Sequence, residues 1–142
     1  MAGKLLRHLV LDNEAAQALL STRAGDRKRA AVVEAITAAN GRTVVPTAVR
    51  VEAGWRRRDP GAAYANRLAH EDDPLDRAHA DRAVQLRRLV PTASVVDATV
   101  AVTAEHIAGC ASDAVVEVVT SDAGDLRALA THVDAAVDVA AL

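Results

Sequence analysis

Asp12, Glu52, Asp97, Asp122 and Asp125 stand at or beside the ends of apolar segments, a placement that points to a pocket for a divalent metal ion. Asp97 is the sharpest of them. It follows Val95 and Val96 and precedes Ala98, Thr99 and Val100, and an unpaired carboxylate facing a core is costly unless it is protonated or metal-bound. Each acid also has an ordinary structural use. Asp12 or Asp122 would cap a helix, Asp125 would favour a first helical turn, Glu52 would snorkel out or pair with Arg56 four residues on, and Asp97 would stand at a helix N-terminus bonded to free N–H groups. Jointly they offer the hard oxygen ligands that Mg²⁺ or Mn²⁺ takes, and without a cation such a cluster repels itself. The chemistry this implies is metal-assisted hydrolysis of a phosphodiester. No other nucleophile stands out: Ser94, Ser112 and Ser121 lack a nucleophile-elbow context, the histidines lack metal-ligand spacing, and Cys110 reads as a core residue.

The elements that must position these acids follow from periodicity. Leu9-Val10-Leu11 reads as a first strand delivering Asp12 at its C-terminal end, followed by a short helix over Ala15 to Leu20. The basic stretch Gly25 to Arg29 opens an amphipathic helix through Ile36, stopped by Asn40-Gly41. Thr43 to Val45 is a short buried strand closed by Pro46, and Thr47 is placed to cap the next helix. In that helix Ala48, Val49, Glu52 and Trp55 share a face, so Glu52 leans inward. Asp59-Pro60-Gly61 is a turn, and the polar run His70 to Pro74 separates a short helix from a long one over Asp76 to Leu89. Val95 to Ile107 is a buried helix, Val115 to Thr120 a strand, Leu126 to Ala130 a helix and Val137 to Val139 an edge strand. This βα alternation implies an α/β fold of three layers, with a mostly parallel central sheet of about four to five strands flanked by helices. Ligands gather outside the carboxyl ends of such strands, where Asp12 and Asp122 fall.

Composition narrows the setting. The 142 residues carry 17 basic and 19 acidic side chains, a formal charge of −2, which gives no global attraction to nucleic acid or to an anionic membrane. All the basic residues but Lys4 and Lys28 are arginines, a bias that suits phosphate contact but that a GC-rich genome also produces. With no Phe, one Trp and one Tyr, the core must be built from Ala, Val and Leu. A lone cysteine and the lack of a long apolar run or signal-peptide core imply a soluble, cytoplasmic protein of one domain, residues 1–142.

The order Leu9-Val10-Leu11-Asp12, Val51-Glu52, Ser94-Val95-Val96-Asp97-Ala98 and Val119-Thr120-Ser121-Asp122-Ala123-Gly124-Asp125-Leu126 resembles a PIN domain over nearly the whole chain. Within that family it is most similar to the small VapC-type toxins of type II toxin-antitoxin pairs. The resemblance implies a PIN-like fold and a Mg²⁺-dependent endoribonuclease, Mn²⁺ being an alternative ion, that inhibits translation or growth. By the same resemblance Asp12 and Asp97 are central metal ligands, Glu52 completes the pocket, Asp122 binds metal directly or through water, and Asp125 is auxiliary. It further implies a homodimer, a cognate VapB-type antitoxin lying over the groove, and tRNA or rRNA as substrate. Asn13 departs from the small or hydroxyl residue usual after the first acid.

For RNA, Arg50, Arg56, Arg57 and Arg58 near Glu52 would form a phosphate-binding rim, whereas Arg87 and Arg88 read as a solvated helix end and Trp55 as packing. A receiver domain is disfavoured because Lys28 is the last lysine, and a haloacid-dehalogenase-type phosphatase because Asp12 is followed by Asn13 and Glu14. The remaining alternatives are a PIN-like module that binds RNA or protein without cutting, and a nuclease of the same family acting on DNA.

Overall fold

Leu9, Val10 and Leu11 form an unbroken apolar run, the pattern of a parallel strand covered on both faces, and all three are buried at the end of β1 (Leu6–Leu11). The computed structural model describes residues 6–111 and 114–142. Ser112 and residues 1–5 at the start of the chain lie outside the described residues. After β1 come α1 (Asn13–Leu20), α2 (Arg27–Ala38), β2 (Thr43–Pro46) and α3 (Thr47–Ala53). A 3-10 turn over Pro60–Ala62 leads into α4 (Ala63–Leu68), β3 (Glu71–Asp73) and α5 (Arg77–Leu89). The chain ends with α6 (Val95–Cys110), β4 (Ala114–Thr120), α7 (Gly124–Ala130) and β5 (Val137–Ala141).

The five strands lie in the order β3-β2-β1-β4-β5, and every pairing is parallel. Helices flank this sheet in a three-layer α/β arrangement. From central β1 the chain builds outward to β2 and β3, then returns to add β4 and β5 on the other side. The reversal puts the topological switch point between β1 and β4, where open α/β sheets hold their ligands. Leu11 is in register with Val119, and the Asp12 amide donates to the Val119 carbonyl at 3.3 Å. Asp12 and Asp122 therefore leave the sheet from adjacent strands.

The longest helix, α6, buries Ala98, Val100, Ala101, Val102, Ala104 and Ile107. Side chains this small let it pack closely against sheet and helices, as the absence of Phe requires. Cys110 closes α6 and is exposed, not part of the core, because the buried stripe ends at Ile107. No helix among the described residues is long and apolar enough to cross a membrane.

One strand is absent from the periodicity reading. Glu71-Asp72-Asp73 forms β3 at the sheet edge, where charge discourages pairing with another chain. Each of its acids has a partner: Glu71 takes Arg42, Asp72 takes Arg50 and Arg57, and Asp73 takes His79 and the Thr103 hydroxyl. Thr47 also differs from expectation. The helix α3 begins at Thr47 itself with no side-chain cap, and the Thr47 hydroxyl instead accepts the Leu75 amide at 3.1 Å, tying α3 to the segment after β3.

Gly41 is required by close approach. A Cβ there would fall against the Arg7 carbonyl and the His8 ring, which face it because the Arg42 amide donates to His8 Nδ1 at 2.9 Å and the Leu9 amide to the Arg42 carbonyl at 2.8 Å. Gly41→Ala is expected to cost about 1–3 kcal/mol, the usual range for overpacking, read as a lower urea midpoint with an unchanged slope; an unaltered midpoint would show that this turn tolerates the methyl.

Candidate metal centre

Asp12 is the first residue past β1 and caps α1, its Oδ1 accepting the Ala15 amide at 2.8 Å. It is 3 % exposed. Burial pushes its carboxyl up to about 6, the charges of Asp97 and Glu14 adding to the rise and hydrogen bonds from Thr120 and Ala15 opposing it. Asp97 occupies the third position of α6, where the Ser94 hydroxyl caps the helix by accepting the Asp97 amide at 3.0 Å. Its carboxyl is raised by burial first and then by the charges of Asp125, Asp122 and Glu14, while its bond with Ser94 opposes the shift. The two acids reach one place by different routes, one from a strand end and one from a helix start.

Asp97 is not inside the core, as its apolar neighbours suggested. Val95 before it is 54 % exposed, and the first turn of α6 opens to a cleft of about 340 Å³. Asp12, Glu14, Glu52, Asp97 and Asp122 all line this cleft, and none of the described Lys or Arg side chains does. Asp122 reaches it from the loop after β4, whose turn is fixed by Thr120: the Asp122 amide donates to the Thr120 hydroxyl at 3.0 Å, and that hydroxyl lies 2.9 Å from the Asp122 carbonyl. Asp125 lies in the first turn of α7 and accepts the Thr92 hydroxyl at 2.9 Å. It is not part of the cleft wall, although its charge is felt at Asp97.

Glu52 does not lean inward. The helix α3 stops at Ala53 because Gly54 takes a left-handed conformation with φ 69°, so Trp55 lies beyond the helix and Glu52 stays exposed at the mouth of the cleft. Glu52 has no ion-pair partner among the described residues; Arg56 lies instead 3.9 Å from Asp59. Glu14 is the cleft residue that sequence reasoning missed. Its position in the first turn of the helix that Asp12 caps was the available signal. Glu14 accepts the Ser121 hydroxyl at 3.3 Å and lies 3.9 Å from the Lys28 ammonium.

The expected arginine rim divides. Arg50 donates to Asp72 and to the Trp55 carbonyl, each at 3.2 Å. Arg57 donates to Asn66 at 3.1 Å, to the Ala69 carbonyl at 2.6 Å and to Asp72 at 2.8 Å, and covers the Trp55 ring at 4.7 Å. Both are committed to internal bonds, while Arg56 and Arg58 remain exposed. Trp55 is packed, 2 % exposed, with its indole nitrogen donating to Asn66 at 2.8 Å. Arg87 donates to the Ala93 carbonyl at 3.1 Å and Arg88 is exposed, as a solvated helix end requires.

Among the described residues no three Asp, Glu, His or Cys side chains converge closely enough to enclose a metal ion by themselves. The donors nonetheless suit a hard cation. Mg²⁺ keeps several waters and is commonly bound through only one or two carboxylates, and two acids with raised proton affinity in a cleft without a basic lining make the charge deficit such an ion fills. Asp12 and Asp97 would hold it, with Asp122 and Glu14 within the same cleft. In comparisons with known proteins, no family model and no curated protein matches the chain.

Proposed function

We propose that the chain is a PIN-type nuclease that hydrolyses RNA phosphodiester bonds with Mg²⁺, or Mn²⁺, held in the acidic cleft, and that it serves as the toxin of a type II pair restrained by a small VapB-type antitoxin. The single observation that carries this reading is the cleft itself: acids from β1, α3, α6 and the loop after β4 line it at the switch point, and no described basic side chain lines it to offset them. A divalent ion bound there neutralises the charge of a phosphodiester and lowers the pKa of water. The residues divide the remaining work. Asp12 accepts the Ala15 amide on one oxygen, which fixes its rotamer. Asp97 is held at the start of α6 by the Ser94 cap. Glu52, exposed at the mouth, would accept a proton from the attacking water. A homodimer, tRNA or rRNA as the substrate, and action inside the cytoplasm belong to the same proposal.

The test is cleavage of a mixed cellular RNA pool by purified protein in Mg²⁺, in Mn²⁺ and in chelator, with Asp97→Asn alongside. Discrete fragments are expected only with metal and wild-type protein, the variant losing on the order of 100-fold or more while its far-UV spectrum is unchanged. Full activity in Asp97→Asn or in chelator overturns the proposal. Binding without cleavage in every metal favours a non-catalytic module, and preference for DNA favours the other nuclease reading.

A further inference from the structure

A cavity of about 480 Å³ lies apart from the acidic cleft. It lies where the turn between α1 and α2 meets α4, and its walls include Arg23, Arg27, Arg29 and Tyr64. Between it and the cleft runs a third hollow of about 320 Å³, which shares Glu14 with the cleft, shares Ser21, Arg23 and Asp26 with the large cavity, and adds Lys28. The three depressions therefore follow one another along the outer side of α1, from its N-terminal cap at Asp12 to the turn after Leu20. An eight-residue helix spans about 12 Å at 1.5 Å per residue, a distance that a few nucleotides cover.

Charge changes along this line. The Asp12 end is acidic throughout, and the far end carries Arg23, Arg27, Lys28 and Arg29 against Asp26 alone, whose carboxylate is already occupied in capping α2 through the Arg29 amide at 3.1 Å. Arg23 and Arg27 are exposed and make no ion pair among the described residues. Arg29 sits over the Tyr64 ring at 4.8 Å with its Nε buried and no hydrogen-bond partner among the described residues, and a buried donor without an acceptor is costly. These features contrast with Arg50 and Arg57, whose guanidiniums are spent on Asp72.

We propose that the turn between α1 and α2 is the phosphate-binding track of the polynucleotide substrate, with Arg23, Arg27 and Lys28 holding the backbone of the strand whose scissile bond lies in the acidic cleft. This rests on the nuclease reading and specifies where its substrate runs. Phosphate contacts of this kind position a strand without reading its sequence. Tyr64, bracketed by Arg29 and by Arg67 at 5.6 Å, closes the track on the α4 side.

The test measures binding of a labelled single-stranded RNA in chelator, so that cleavage does not enter, as a function of salt. Wild type is compared with Arg23→Gln/Arg27→Gln and with Arg87→Gln/Arg88→Gln, which removes the same charge from the end of α5. The track variant is expected to bind about 10-fold more weakly with a salt slope smaller by about 1–2, and the α5 variant to match wild type. Equal losses in both variants, no loss in the track variant, no RNA binding by wild type, or binding of an acidic peptide in place of RNA each overturn the track. RNA bound through the track but never cleaved with added Mg²⁺ or Mn²⁺ overturns the nuclease reading and leaves the track standing.

Discussion

Asp12→Asn is expected to make the metal-free protein more stable at pH 7.5 while abolishing metal-dependent RNA cleavage. The Asp12 carboxyl titrates near 6 in the fold against an ordinary 3.8, mainly through burial. Because the folded state holds this proton more tightly than the unfolded chain, Asp12 favours folding below pH about 4, and that advantage disappears as pH rises through about 6. A tenfold change in proton affinity is worth about 1.36 kcal/mol, so at pH 7.5 the buried charge costs on the order of 2–3 kcal/mol. Asparagine carries no charge to bury and caps helices as well as aspartate, so the bond to the Ala15 amide is kept. The gain should be full at pH 7.5, shrink through pH 5 and vanish by pH 4, and added Mg²⁺ should narrow it by stabilising wild type alone. Urea titrations at these pH values in chelator measure it directly. A variant less stable than wild type at pH 7.5 would show that the carboxylate is held by bonds worth more than its desolvation.

Arg57→Ala is expected to damage the fold rather than RNA binding alone. The guanidinium joins the Ala69 carbonyl at the end of α4, Asn66 and Asp72 on the edge strand β3, and covers Trp55. Its removal leaves the Ala69 carbonyl without this donor and Asp72 with Arg50 alone, and the indole loses a cationic cover; a loss of about 2–3 kcal/mol follows. Arg57→Lys should recover only part of it, because an ammonium cannot reproduce the planar fork. Thermal melts of both variants beside Arg58→Ala, which touches none of these groups, separate this from a general charge effect. Equal melting of all three would mean that the strand β3 is held by other contacts.

The fate of these arginines shows where sequence is legible and where it is not. The run Leu9-Val10-Leu11 reveals a buried parallel strand, because a strand covered on both faces needs apolar residues at successive positions, and Val115 to Thr120 follows the same pattern apart from Glu117, which pairs with Arg7. From the strand ends the positions of Asp12 and Asp122 follow. The edge strand β3 has no such signature: Glu71-Asp72-Asp73 reads as a loop, and its pairing depends on Arg42, Arg57 and His79, which come from elsewhere in the chain. For the same reason Arg50 and Arg57 resemble free cations in sequence although Asp72, 15 residues from the second of them, holds both. Asp97 illustrates the opposite error. Its apolar neighbours mark a buried helix, but the helix begins at Val95, and the Ser94 cap that opens it places Asp97 at the rim of a cleft. Glu14 escaped notice because it belongs to no apolar run, and only the packing of α1 beside the loop after β4 brings it to the other acids.

The charge arrangement also implies a conflict between stability and use. Acids crowded at the switch point raise one another's proton affinity, and none of the described basic residues lines their cleft to relieve them. Such strain persists in a fold when a ligand offsets it. On the proposal above, that ligand is a divalent cation.

Calorimetric titration of Mn²⁺ into the protein at pH 7.5 and pH 5, with Asp97→Asn and Asp12→Asn/Asp97→Asn beside wild type, tests this most directly. Wild type should take up Mn²⁺ at pH 7.5, bind it more weakly at pH 5 where protons compete for Asp12, and lose at least about 10-fold in affinity on Asp97→Asn. No uptake at either pH, or equal uptake by wild type and the double variant, would contradict it.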